Sequence, residues 1–371
     1  MSRDRLRPDA ERGAERPVSR SDQPTSGSGE LDLAGALDVI EAYLLGEEPS
    51  LTRLEVAERA GVPLETAMEL WHLMGFAHVE DDVVAFTPAD VRALEMSRDL
   101  IDVGILSPER QAALVRTWGR SYARLAEWQA ALLADVAREK GADQAETLAE
   151  LTGEVLPRVD ALQSYVWRRH LVSAGSRLLA VESPGSPVSE LAVCFVDIVG
   201  YTSRSKALSE AELVEWLEHF EGVTLELVVE AGGRIIKNIG DEVLFVADDA
   251  ATAVDVALEM TRRGADDDDP FPAVRAGIAY GGVVSRLGDV FGPVVNVAAR
   301  LTSAARPGSV LVDRGAYEEL SGLVHDDTDD ADDPDESASA AYSFKRLRRL
   351  SVKGYSRLKA WAVRPVPVSG S

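Results

Sequence analysis

The chain has 371 residues, 46% hydrophobic and 27% charged, with 63 Asp and Glu against 39 Lys and Arg for a formal net charge of −24. That length exceeds the roughly 100–200 residues of one domain, and a charge of this sign repels nucleic-acid phosphates, so nucleic acid is not an expected partner. The single cysteine, Cys194, excludes a disulfide framework and a multi-cysteine zinc site, while the absence of both a membrane-length apolar run and a hydrophobic signal core makes the cytoplasm the expected compartment.

Residues 1–29 are rich in Arg, Asp, Ser, Pro and Gly and bury too little apolar surface to offset chain entropy, which predicts a disordered tail. From residue 30 to 181 apolar side chains recur at three- and four-residue intervals, as in Leu33, Leu37, Ile40 and Leu44, predicting an all-α domain. Within it, Leu51 to Leu94 reads as helix, turn, helix and a short extended piece, broken at Gly61-Val62-Pro63, and long amphipathic helices follow from Ser107. Residues 182–187, Glu182 followed by Ser, Pro and Gly, read as a linker.

Residues 188–365 have a different period. Glu190 to Asp197 is a nearly continuous apolar run ending in a carboxylate, which suits a buried strand. Ser209 and Glu212 make a capping box, followed by a helical stripe of Leu213, Trp216, Leu217 and Phe220. Gly233–Ile239 and Val243–Val246 read as strands around a tight Gly240-Asp241 turn. A helix from Asp248 to Arg263 stops at Gly264, Ala273–Tyr280 is a strand, and Pro293 opens a helix that ends by Pro307-Gly308. This order predicts a ferredoxin-like α+β sheet with helices on one face.

Two carboxylates stand where an apolar strand meets a turn, Asp197 at the end of the first strand and Asp241 at the hairpin tip. Taken singly, each reads as a turn residue with a local hydrogen-bonding role. In this topology their strands are neighbours, so the pair is also suited to hold divalent cations that bridge phosphate oxygens.

Three stretches, Phe195-Val196-Asp197-Ile198-Val199-Gly200-Tyr201-Thr202, Lys237-Asn238-Ile239-Gly240-Asp241-Glu242 and Gly288-Asp289-Val290-Phe291-Gly292-Pro293-Val294-Val295-Asn296-Val297-Ala298-Ala299-Arg300, together resemble the class III nucleotide cyclases, over Val188 to Val363. The resemblance implies Asp197 and Asp241 as ligands of two Mg2+ or Mn2+ ions, with the Ile198 carbonyl as an additional ligand. It implies Lys237 and Asp289 as the pair that reads adenine, Asn296 as the residue that positions the ribose, and Arg300 as the cation on the reacting phosphate. Lys353, in Ser351-Val352-Lys353-Gly354, aligns with a lysine that contacts the terminal phosphates in some relatives. Guanylate cyclases usually carry Glu and Cys at the base-reading positions, so ATP is the expected substrate and GTP the alternative. In the family one catalytic domain supplies the metal ligands and its partner the remaining residues, which implies a homodimer with composite sites. The short Gly282–Gly288 stretch resembles the subgroup with a shortened dimerisation arm.

Residues 51–97 look like the start of a MerR-type winged helix, yet hold nine acids against three arginines, the wrong sign for phosphate contact. Residues 31–181 more closely resemble the helical regulatory domain of actinobacterial soluble adenylate cyclases, some of them pH-responsive, on the overall pattern and on Gly75-Phe76 and Phe86-Thr87-Pro88-Ala89-Asp90. That resemblance implies dimerisation and control of the catalytic half. His72, His78 and His170 lie in this region and make a proton one expected effector, beside a lipid or small molecule. The expected function is thus an ATP-cyclising adenylate cyclase, a phosphorus-oxygen lyase. A catalytically silent nucleotide-sensing module is the other class of reading. The acidic run Asp326–Glu336, eight acids in eleven residues, is expected to be a solvated loop.

Overall fold

The structure is a computed structural model that describes residues 44–140, 144–180, 188–322, 336–339, 341–347 and 358–366. The tail at 1–29, the linker at 182–187, Lys353 and residues 326–335 of the acidic run lie outside the described residues. The chain divides into two compact units, up to His170 and from Leu171 onward.

The first unit is helical, with α1 (Arg53–Ala60), α2 (Leu64–Met74), α3 (Pro88–Asp102) and α4 (Pro108–Lys140); α5 (Gln144–Ala180) contains the division. Capping boxes open α1 and α3: Thr52 pairs reciprocally with Glu55, and Thr87 with Asp90. The expected extended piece is an antiparallel bridge between Leu51 and Phe86. Val56, Ala60, Ala67, Trp71 and Leu94 form the core that these elements enclose.

The second unit runs β1 (Val188–Ile198), α6 (Tyr201–Ser205), α7 (Glu210–Glu230), β2 (Arg234–Ile239), β3 (Glu242–Ala247), α8 (Ala250–Arg263), β4 (Val274–Arg286), β5 (Asp289–Phe291), α9 (Pro293–Ala304), β6 (Val310–Asp313) and α10 (Arg314–Ser321). It ends with β7 (Glu336–Ala338), β8 (Tyr342–Arg346) and β9 (Ala360–Pro365). The strands form one sheet in the order β2-β3-β1-β4-β6-β9-β8-β7, with β5 paired to the end of β4. The β4–β6 pair is parallel and the others are antiparallel.

The sheet is covered on both faces, which corrects the expectation of helices on one face. Ala192, Cys194, Val196 and Ile198 of β1 join a core that includes Trp216 and Phe220 of α7, Val254 and Met260 of α8, and Tyr317 of α10. Leu191, Val193 and Phe195 pack instead with Val294, Val295, Val297 and Ala298 of α9. A strand that is apolar on every residue needs cover on both sides, because alternate side chains point to opposite faces.

The strand expected at Ala273–Tyr280 continues to Arg286, because it keeps pairing with β1 as far as Val188 opposite Val284. It then turns through Leu287 and Gly288, both at positive φ (54° and 78°), into β5. Positive φ at both central residues defines the tightest right-twisting hairpin loop, so the arm is as short as such a connection allows.

Contact between α9 and the sheet depends on Gly277 in β4, where an added Cβ would lie 2.3 Å from the Thr302 nitrogen and 2.6 Å from the Ala298 oxygen. Both atoms are backbone, so α9 would have to move. Gly277→Ala is therefore expected to lower the unfolding free energy by about 1–3 kcal/mol, the usual cost of overpacking, as measured by urea denaturation. An unchanged midpoint would show that α9 is not held against β4.

Candidate active site

The site is built on the face of the sheet that α9 covers. Along β1 the alternation that sends Val193 and Phe195 to this face sends Asp197 there too. Directly opposite Asp197 stand Glu242 on β3 and Arg275 on β4. Three charged residues thus form a row across three adjacent strands, at the end of an apolar sheet.

Arg275 grips Asp197 through Nε at 2.7 Å and a second guanidinium nitrogen at 2.6 Å, both on Oδ2. Its other terminal nitrogen reaches the Ser303 carbonyl of α9 at 3.5 Å. Asp241 occupies the second position of the two-residue β2–β3 loop, after Gly240 at φ 65°. The Ile198 N–H donates to the Asp241 carbonyl at 3.2 Å, which fastens the end of β1 to the hairpin tip. The Ile198 side chain is buried in the opposite core.

Electrostatically this corner is short of positive charge. Burial pushes the Asp241 carboxyl above its ordinary range, and the nearby Asp197 charge adds to the shift. Burial, then Asp197 and Asp241, push Glu242 up to about 7. Each shift reports a carboxylate that is costly to ionise without a nearby cation. Among the described residues no group of three or more His, Cys, Asp or Glu side chains is placed to hold a metal alone. Two hard carboxylates in a corner deficient in cations nevertheless fit an oxygen-liganded divalent ion whose other ligands come from backbone, water or phosphate.

The second pair also converges. Lys237 Nζ donates to Asp289 Oδ2 at 2.5 Å, from β2 to β5, with both side chains partly exposed. Asp289 Oδ1 accepts the Val290 N–H at 2.8 Å, which fixes the carboxylate. Lys237 owes its position to a bulge: Ile235 lies opposite Phe245 but Lys237 lies opposite Leu244, so one extra residue sits in β2. Leu244 belongs to the α9-side core, whereas Phe245 belongs to the other. The bulge therefore brings Lys237 to the face that carries Asp197.

Asn296 and Arg300 lie one turn apart on α9 and both are exposed, while Ala298, Leu301 and Thr302 face the sheet. Within one chain, then, Asn296 and Arg300 point away from the sheet surface that carries the carboxylates. Asp197 and Asp241 are brought together, as are Lys237 and Asp289; the helix pair stands apart. Two site residues escaped the sequence reading, Arg275 and Glu242. The available signal was a charge at or next to the start of an otherwise apolar run, in Glu242-Val243-Leu244 and Val274-Arg275-Ala276.

Residues 184–364 match the family described as the adenylate and guanylate cyclase catalytic domain. The chain is 40% identical over 285 residues to an adenylate cyclase of Streptomyces coelicolor, covering 76% of this chain and 74% of that one. It is 38% identical over 293 residues to an adenylate cyclase of Glutamicibacter nicotianae, covering 74% and 72%. A pH-sensitive adenylate cyclase of Mycobacterium tuberculosis is 31% identical over 298 residues, covering 77% and 74%. Each likeness is longer than the family match and so takes in part of the helical unit.

Removing Arg275 leaves a partly buried carboxylate without its guanidinium. Arg275→Ala is expected to cost about 1–3 kcal/mol of stability in urea denaturation, and adding Asp197→Asn should return part of it, because the stranded charge is then gone. No recovery in the double variant would mean that the loss comes from packing alone.

Proposed function

Since the chain belongs to the adenylate and guanylate cyclase family and is an adenylate cyclase, we propose that it closes ATP to 3′,5′-cyclic AMP at sites shared between two copies of the chain. In this reaction the ribose 3′ oxygen bonds to the α-phosphorus, the bond to the pyrophosphate oxygen breaks, and the 3′-hydroxyl proton is released. Asp197 and Asp241 would hold the divalent cations, two Mg2+ or Mn2+ ions in this reading, which when bound would supply Lewis acidity and offset phosphate charge.

The observation that carries the substrate reading is the Lys237–Asp289 pair. Adenine offers the complement to each partner: its N1 accepts from the Lys237 ammonium, and its exocyclic amine donates to the Asp289 carboxylate. Guanine inverts both roles, and each polar group left unpaired costs about 1–3 kcal/mol, enough to favour ATP. Asn296 orients the ribose, and Arg300 receives charge that develops on the α-phosphate. Arg275, which donates to Asp197, is a further cation at this corner that would offset phosphate charge.

The outward direction of Asn296 and Arg300 supports the shared-site reading, since a second copy can present them to the carboxylates of the first. The helical unit is read as the controlling element, with protonation as one input. The support is the likeness to a cyclase named for pH sensitivity and the presence of His72, His78 and His170.

With ATP and manganese the purified chain is expected to release cyclic AMP and pyrophosphate, identified by mass spectrometry, and to discriminate against GTP. Asp197→Ala and Lys237→Ala should each be inactive. Mixed under conditions of subunit exchange they should recover up to about a quarter of wild-type activity, because half of random dimers are mixed and each has one intact site of two. Exchange without recovery would refute the shared site. For the regulatory reading, the pH–activity profile should flatten when His72, His78 and His170 are all replaced by Gln, and superimposable profiles would count against proton sensing by these residues.

A further inference from the structure

We propose that Glu242 is a positioning residue of the corner formed by Asp197 and Asp241: its charge acts on these two carboxylates through space and raises their affinity for divalent cations, without ligating a cation itself. The inference rests on the reading that Asp197 and Asp241 hold the cations.

Strand register puts Glu242 there. Asp197 and Glu242 are directly opposite residues of the antiparallel β1–β3 pair, so their side chains leave the sheet on one face, with Cβ atoms about 4.5–5.5 Å apart. That face is the one α9 covers: Leu244, two residues further along β3, lies in the core with α9, while Val243 lies in the other. Asp241 directly precedes Glu242 in the chain. Glu242 thus has one acid beside it along the chain and another across the strands.

No contact in the fold uses this charge. The cation of the row, Arg275, stands on β4, on the far side of β1 from Glu242. Its two short contacts both go to Asp197 Oδ2. Among the described residues the Glu242 carboxylate has no hydrogen-bond or ion-pair partner. Like charges directly opposite each other destabilise a sheet, and half-burial adds a desolvation cost. A neutral residue of the same shape would therefore suit the fold better, and stability lost in this way is commonly the cost of a functional site.

Direct ligation is not the use of this carboxylate, because among the described residues no three His, Cys, Asp or Glu side chains are placed to hold one ion. What remains is its field. A negative charge this close to two carboxylates makes a cation on either of them more favourable, and partial burial limits its screening by salt. Removing the charge while keeping the shape should then have two opposite effects: a more stable cation-free chain, and a smaller gain in stability when cations bind.

The test uses the full chain and Mn2+ alone as probe, without nucleotide. Bound Mn2+ is counted by electron paramagnetic resonance at low salt and about pH 8, where carboxylates are ionised. Glu242→Gln should bind at least about fivefold more weakly than wild type, equivalent to about 1 kcal/mol, the size of a close charge pair even under full water screening. Glu242→Asp keeps the charge and should keep most of the affinity. In thermal melts without Mn2+, Glu242→Gln should unfold at or above the wild-type midpoint, and Mn2+ should raise that midpoint less than it raises the wild type's. Asp197→Asn with Asp241→Asn should abolish saturable binding; survival of binding there, or its absence from the wild type, would overturn the reading of the corner itself. Binding abolished in that pair but unchanged in Glu242→Gln would overturn the role of Glu242 alone. Equal weakening in the Asp and Gln variants, or a lower cation-free midpoint in Glu242→Gln, would overturn the through-space role.

Discussion

Glu242, Asp197 and Arg275 stand side by side on three neighbouring strands, at the end of a sheet whose interior is apolar on both faces. Strand spacing of about 4.8 Å leaves such side chains no freedom to separate. Two acids and one base leave this row net negative, and the two-residue hairpin loop adds Asp241 to it. The raised carboxyls of Asp241 and Glu242 are the energetic signature of that crowding. A fold optimised for stability alone would not concentrate acids here. Under the proposed function this row becomes a seat for cations that accompany a polyphosphate, in a chain whose overall charge otherwise repels one.

The sheet divides its labour by face. Under α7, α8 and α10 lies a core that includes the stack of Tyr317 on Trp361, with ring centroids 4.2 Å apart. The other face holds α9, the charged row and the Lys237–Asp289 pair. Arg275 links the parts of that face, holding Asp197 with one side of its guanidinium and reaching Ser303 near the end of α9 with the other. The absence of a side chain at Gly277 lets the same helix sit directly on β4. The position of α9 is thus fixed by packing at its middle and by the charged row at its end.

Locally encoded features were legible in the sequence. The Ser209–Glu212 box forms as its spacing predicts, because both hydrogen bonds lie within one turn. The strand ending at Asp197 and the Gly240-Asp241 loop were legible for the same reason. What escaped depends on pairing between distant segments. Strict alternation puts Ile235 and Lys237 on the same face, and only the register against β3 reveals the bulge that separates them. Arg275 and Glu242 look like isolated charges until β1 is laid between their strands. The length of β4 escaped too, since residues 281–286 are strand only because β1 and then β5 continue to pair with them.

Helical geometry sets a final constraint on α9. Ala298, Leu301 and Thr302 must face the sheet, because they fill the space left by Gly277 and Thr302 Oγ1 donates to the Phe195 carbonyl at 3.2 Å. With that side committed, residues 296 and 300 are turned outward by the 3.6-residue period, whatever their identity. The polar groups of the strand end and of α9 therefore face different directions: carboxylates over the sheet end, and an amide and a guanidinium on the outer side of the helix. For both sets to act on one phosphate, the second must be met by a surface that the same chain does not provide. This is the physical ground of the proposal that the site is shared between two copies.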